Sequence, residues 1–164
     1  MTSLEEQFKS YDIHTPVFSM NGIETYCRIV DIIDGDSVML IVPLFGQYYK
    51  FNARLKGIDT FEIKSHDNVL KEKALLARKK VFEIVCKEQV LLETDRKHLQ
   101  EVLNKNVYIV WVKCYEYDKY GRLLCDLYCS QNDEKSISDK LIELKLAYPY
   151  FGGTKKTEKE QLLL

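Results

Sequence analysis

The sequence predicts an α+β domain built on a small five-stranded β-barrel with packed helices. Two observations carry that expectation. Three β-rich runs precede the first long amphipathic stretch and two more follow it. Aromatic residues also make up 12% of the 164 positions and apolar residues 46%, a composition that favours pleated, half-buried strands over disorder.

The first run starts at Thr25, and Tyr26 to Ile33 is rich in β-branched residues. Asp34-Gly35-Asp36 makes a turn, and Ser37 to Val42 resumes the strand; Asp-Gly between two apolar runs is a hairpin signal. Pro43 to Gly46 forms the next turn. In the third run Tyr49, Phe51, Ala53 and Leu55 alternate with Lys50, Asn52, Arg54 and Lys56, so Arg54 projects from a polar, positively charged face away from the apolar set. Position alone would make it an ordinary solvated strand arginine. Residues 69–86 read as a helix, because Leu70, Ala74, Ala77, Val81 and Ile84 form one apolar stripe with lysines and Arg78 outside it. Between 87 and 106 the signal is mixed: Val90-Leu91-Leu92 is a candidate short strand, and Arg96 to Leu103 a candidate short helix. Val107 to Tyr115 and Leu123 to Tyr128 are the last two strands, and Ile137 to Leu146 is a second helix.

Five strands with a helix after the third suit a closed barrel of the oligonucleotide/oligosaccharide-binding (OB) type. A generic α+β domain fits the same order. The expected organisation is an N-terminal extension over 1–23, one domain over 24–153, and a short charged tail over 154–164.

Bulk chemistry narrows the classes. The net charge is -1 and the pI about 6.3, so any polyanion partner must be met by local positive charge. The five cysteines form no Cys-x-x-Cys pair and the three histidines are scattered, a pattern of free thiols in a reducing compartment. The first residues lack the apolar core of a signal peptide, and no run approaches the ~18 apolar residues of a membrane span. A soluble intracellular protein is expected.

Three segments concentrate chemistry: Ile33-Asp34-Gly35-Asp36-Ser37, Arg54-Leu55-Lys56-Gly57-Ile58-Asp59-Thr60-Phe61-Glu62, and Asp118-Lys119-Tyr120-Gly121-Arg122. Asp36 and Asp59, brought together at strand ends, can hold one hard cation through oxygen ligands. A further carboxylate can handle water, and two guanidinium groups can clamp a phosphate. Taken singly each segment is ordinary, since Asp and Gly suit turns whatever their function.

Together and in order they resemble the thermonuclease, or staphylococcal nuclease-like, family. The resemblance covers about residues 24–153 and extends to Ala147-Tyr148-Pro149-Tyr150, which is similar to an aromatic pair near that family's nucleotide pocket. It implies an OB-fold nuclease dependent on calcium, cutting DNA or RNA with little sequence preference and leaving a 3′-phosphate. Asp36 and Asp59 are then the calcium carboxylates, with the Thr60 carbonyl as a further ligand and Asp34 nearby. Glu62 orients or deprotonates the attacking water. Arg54 and Arg122 bind the phosphate and offset its growing charge. Lys119, Tyr120, Tyr148 and Tyr150 are candidate contacts to phosphate, sugar or base. The sequence departs from the family pattern at Phe61, where a proline is usual, at Ser37 in place of Thr, and in a longer 87–106 connection. Its loop and C-terminal style looks like the intracellular branch found in large DNA viruses and some cellular genomes. The rival reading is a non-catalytic binding module on the same barrel; retention of both arginines and all three acids favours catalysis.

Overall fold

The computed structural model describes residues 2–164. A closed five-stranded barrel forms its centre. The strands are β1 (Glu24–Asp34), β2 (Ser37–Leu44), β3 (Gln47–Leu55), β5 (Ile109–Tyr117) and β6 (Leu123–Tyr128), ordered β1-β2-β3-β6-β5 and closed by the β5–β1 pair. All neighbours are antiparallel except β3 and β6, which run parallel. The β3–β6 seam closes the barrel over Ala53–Leu55 only, and the inward side chains of all five strands form one core, including Ile29, Leu40, Leu55, Val112 and Leu127.

Strand β1 is long enough to pair with both β2 and β5, and its register slips between Ile29 and Asp31 and again between Ile32 and Asp34. Such bulges bend a strand and change which residues it buries. Here they enclose both Asp31 and Ile32. Ile32 enters the core. Asp31 turns to helix α3 (Arg96–Lys105), where it accepts from Arg96 Nη2 at 2.6 Å, Arg96 Nε at 3.1 Å and Gln100 Nε2 at 3.0 Å.

The long helix α2 (Asn68–Cys86) starts where Asp67 accepts from the N–H groups of Val69 and Leu70, satisfying two otherwise unpaired donors. It buries Leu70, Ala74, Ala77 and Val81, the expected stripe, together with Phe82 and Cys86, while Ile84 is half-buried. Helix α4 (Ile137–Glu143) opens with a reciprocal Ser136–Asp139 capping box.

Several elements differ from the sequence reading. Val90 to Leu92 is not a strand; the closed barrel offers that segment no partner, and Leu91 is exposed. Strand β2 runs on through Pro43 to Leu44, because Phe45 and Gly46, both at positive φ (52° and 73°), make a two-residue hairpin turn. Two short strands, β4 (Ile58–Thr60) and β7 (Ala147–Pro149), form a separate sheet that the sequence did not suggest. The N-terminal segment carries a short helix α1 (Leu4–Phe8), and its Met20 is fully buried in the core. The tail folds into helix α5 (Glu158–Leu162), where Glu158 accepts from the Ser65 hydroxyl at 2.8 Å.

One close approach sets the position of the β1–β2 turn. A β-carbon on Gly35 would lie 2.7 Å from Ala77 Cβ on α2 and 3.0 Å from Thr60 Cγ2 on β4. The turn, the helix and β4 therefore meet at a point where only hydrogen fits. Gly35→Ala should destabilise the fold by about 1–3 kcal/mol through overpacking. A urea-denaturation double-mutant cycle with Ala77→Gly should show favourable coupling between the two substitutions. Additive effects would show that the contact is relieved elsewhere.

Candidate active site

The site grows from the β2–β3 register. Ser37 pairs with Arg54, which sets Asp36 beside the end of β3, and the Leu55 N–H donates to the Asp36 carbonyl at 2.8 Å. The chain then turns through Lys56-Gly57 into β4, which carries Asp59 and Thr60 back past the same point. Gly57 adopts φ 82°, a left-handed conformation that favours glycine.

Arg54 is the centre of this arrangement, and its surroundings exclude the ordinary solvated strand arginine that position alone would suggest. It is 7% exposed. Its Nη1 donates to the carbonyls of Leu55 (2.9 Å) and Ile58 (3.0 Å). Its Nη2 lies 3.2 Å from Asp59 Oδ1 and 3.4 Å from Asp36 Oδ2. Alternation placed Arg54 off the barrel core correctly, but β4 packs over that face and encloses it.

The two aspartates are buried side by side. Asp36 Oδ2 accepts the Thr60 N–H at 3.2 Å, and Asp36 Oδ1 accepts the Ser37 hydroxyl at 3.2 Å. Asp59 Oδ2 accepts the Tyr148 hydroxyl at 2.6 Å, a contact made possible by the Asp59–Tyr148 pairing of β4 and β7. Burial pushes the Asp36 carboxyl up from its ordinary value, Arg54 and the Thr60 N–H oppose that rise, and the Asp59 charge adds to it. Asp34 is also raised, by burial first and then by the charges of Asp36 and Glu62. More negative charge is gathered here than Arg54 alone offsets. Such an oxygen-only pair suits a hard cation that completes its shell with carbonyl and water oxygens. Among the described residues no group of three or more His, Cys, Asp and Glu is placed to hold a metal ion.

Glu62 lies just past β4, with 65% of its side chain exposed and Oε1 4.0 Å from Lys155 Nζ. Its loop is anchored by Phe61. That ring is 2% exposed and packs with Leu70, Ala74 and Tyr148, its centroid 6.0 Å from that of Tyr148. A buried aromatic thus fixes the loop by packing, where a proline would fix it through its backbone angle.

A cleft of about 740 Å³ opens beside this cluster, and Arg54, Lys119, Tyr120, Arg122 and Tyr150 all line it. Arg122 is held from within its own turn: its Nε donates to Asp118 Oδ2 at 2.8 Å, while Asp118 Oδ1 accepts the N–H groups of Tyr120 and Arg122. Tyr120 is exposed, with the Arg122 guanidinium 5.5 Å from its ring centre. Tyr150 donates to the Gly153 carbonyl at 2.8 Å.

Tyr148 is placed differently from these. It is 3% exposed and its hydroxyl is bound to Asp59, so it supports a carboxylate from behind the cleft. Burial, then that hydrogen bond, push its hydroxyl pKa up.

Residues 52–164 match the family model described as staphylococcal nuclease homologue. The chain belongs to that family. No curated protein matches it. The matched residues contain Arg54, Asp59, Glu62, Arg122 and the two tyrosines of β7 and its edge. Asp36 precedes them, yet the barrel closes its strand directly onto β3. The staphylococcal nuclease fold thus assembles a site whose acids come from both sides of the matched boundary.

The structure adds two residues that sequence reasoning passed over. Lys155, in the charged tail, reaches Asp59 Oδ1 at 3.4 Å; nothing in the tail's composition marks it. Asp118 was visible as part of its motif, four residues before Arg122, but its tethering role needs the turn. Burial tends to raise the Asp118 carboxyl, but the N–H groups of Arg122 and Tyr120 and the Arg122 guanidinium outweigh it and hold the pKa below the ordinary carboxylate value. That contribution is therefore complete above the ordinary carboxylate range and is lost as pH falls through the depressed value. Asp118→Asn should lower stability modestly at pH 7. The gap between variant and wild type should close in acid, as followed by thermal denaturation from pH 7 to pH 2. A gap constant across that range would rule out the charge as its source.

Proposed function

We propose that this chain is a calcium-dependent nuclease that hydrolyses phosphodiester bonds of DNA or RNA by in-line attack of water, with little sequence preference. The observation that carries the reading is the convergence of Asp36, Asp59 and Arg54 beside a cleft that also holds Arg122, with Glu62 4.0 Å from Lys155 of the cleft lining. Membership of the staphylococcal nuclease homologue family supports it.

The roles follow from the surroundings. Asp36 and Asp59 would hold calcium with the Thr60 carbonyl, and the bound ion would act as Lewis acid and template for the phosphate. Arg54 is already fixed by two backbone carbonyls, so it presents its charge to phosphate oxygens with little reorganisation. Arg122, tethered by Asp118, supplies the second planar set of donors. Glu62 is exposed and faces no strong partner, which leaves its carboxylate free to orient or deprotonate water. Lys119, Tyr120 and Tyr150 contact the polynucleotide, with ring faces that tolerate any base. Tyr148 positions Asp59. Cleavage leaves a 3′-phosphate and a 5′-hydroxyl. The five cysteines are all unpaired, four of them buried, which fits work in a reducing, intracellular compartment. No helix among the described residues is long and apolar enough to cross a membrane.

Purified protein should degrade single-stranded DNA in calcium, and EDTA should abolish the activity. Absence of cleavage from pH 7 to pH 10 in calcium would favour a binding module instead. Glu62→Gln and Arg122→Ala should each lower the turnover rate at least ~10²-fold while circular dichroism stays native. Near-wild-type turnover in either variant would remove that residue from the mechanism.

A further inference from the structure

The cleft does not end at its own wall. A second cavity of about 260 Å³ adjoins it, and the two share Lys56, Gly57, Ile58 and Phe151. Phe151 stands between them, 84% exposed. Its ring rests on the Gly57 backbone, where an added β-carbon would approach Phe151 Cε1 to 3.2 Å. A large apolar ring seated on backbone and open to solvent is a stacking platform without an internal partner.

The second cavity differs in character from the first. Its walls bring Asp126, Asp139, Tyr128 and Ser138 together. Lys56 is the only cation among its described lining residues, and its Nζ is already 4.1 Å above the Tyr115 ring. Asp126 Oδ2 accepts the Tyr115 hydroxyl at 2.6 Å and Asp139 Oδ2 accepts the Ser136 N–H at 3.0 Å. The Oδ1 atom of each has no donor among the described residues. The Ser138 hydroxyl is buried and has no hydrogen-bond partner among the described residues. A phosphate entering here would meet two carboxylates and one engaged ammonium. The edge of a base bearing an amino group would meet acceptors.

We propose that this cavity is a base subsite for the nucleotide flanking the cleaved bond, with Phe151 as its stacking platform and Asp126 as the acceptor that selects amino-bearing bases over thymine or uracil. The class of occupant rests on the nucleic-acid reading of the main cleft. The polynucleotide crosses from one cavity to the other over Gly57, with the phosphate left on the arginine side and the flanking base set down on Phe151. Sequence tolerance in the main cleft then coexists with a preference one step away from it.

The test uses labelled single-stranded tetranucleotides that differ only by cytosine or thymine at the flanking position. Cleavage in calcium gives kcat/KM, and fluorescence anisotropy in EDTA gives binding without turnover. Wild type should favour cytosine about tenfold in both measurements, the scale of one well-made base contact. Asp126→Asn should abolish or invert that preference, because an amide can donate to the thymine carbonyl. Phe151→Ala should weaken binding of both substrates about tenfold. Tyr48→Ala, at the exposed start of β3, is the control and should match wild type. Wild type that binds or cuts with no flanking preference overturns the subsite, as does a preference that Asp126→Asn retains. A preference seen in binding and lost in Asp126→Asn, but with no cleavage in calcium, would uphold the subsite and overturn the nuclease reading. Failure of wild type both to bind and to cut overturns both.

Discussion

The Arg54 guanidinium is the interaction on which the rest of the site depends. It ties the end of β3 to the start of β4 through two backbone carbonyls, and it holds Asp36 and Asp59 close through its other nitrogen. Without that charge two buried carboxylates would face each other with only Lys155 at the edge to offset them, an arrangement that costs several kcal/mol. With it, the two acids can sit within reach of one cation. The same group ties two backbone segments and two carboxylates, and a lysine could not make the four contacts its planar fork allows.

A second constraint is steric. The contact of Gly35 with Ala77 and Thr60 sets how close the β1–β2 turn, α2 and β4 can come. Small residues at that point let three elements share it, and each delivers part of the site: Asp34 and Asp36 from the turn, Asp59 and Thr60 from β4. Helix α2 contributes by packing, since its Leu70 and Ala74 seat the Phe61 ring that anchors the Glu62 loop. Phe61 departs from the family's proline, yet it reaches a comparable end by a different physical route, burial in place of backbone restriction.

The cluster also holds its charges under electrostatic tension. Burial raises the carboxyl groups of Asp34 and Asp36, so the folded state holds these charges at some cost at neutral pH. The surrounding barrel, closed and fully packed, supplies the stability that such a site consumes. The tail joins in: Lys155 approaches Asp59 and Glu62, and α5 docks beside α2 through Ser65 and Glu158.

The sequence by itself determined the five barrel strands, the α2 stripe and the residues that carry charge at strand ends. Those signals are local, because period-two alternation, period-3.6 stripes and turn residues are written within a few positions. It also supplied the family resemblance, which implies roles for Asp36, Asp59, Glu62, Arg54 and Arg122. Tertiary structure alone decided the rest. That Arg54 is enclosed followed from β4 folding over a face that alternation marks only as polar. Tyr148 bonds Asp59 because β4 pairs with β7 across almost ninety residues of sequence (Asp59 to Tyr148, a separation of 89). The reach of Lys155 and the ledge of Phe151 between two cavities depend likewise on long-range packing. A local pattern states which side of a strand a residue occupies; what covers that side is settled only when distant segments meet.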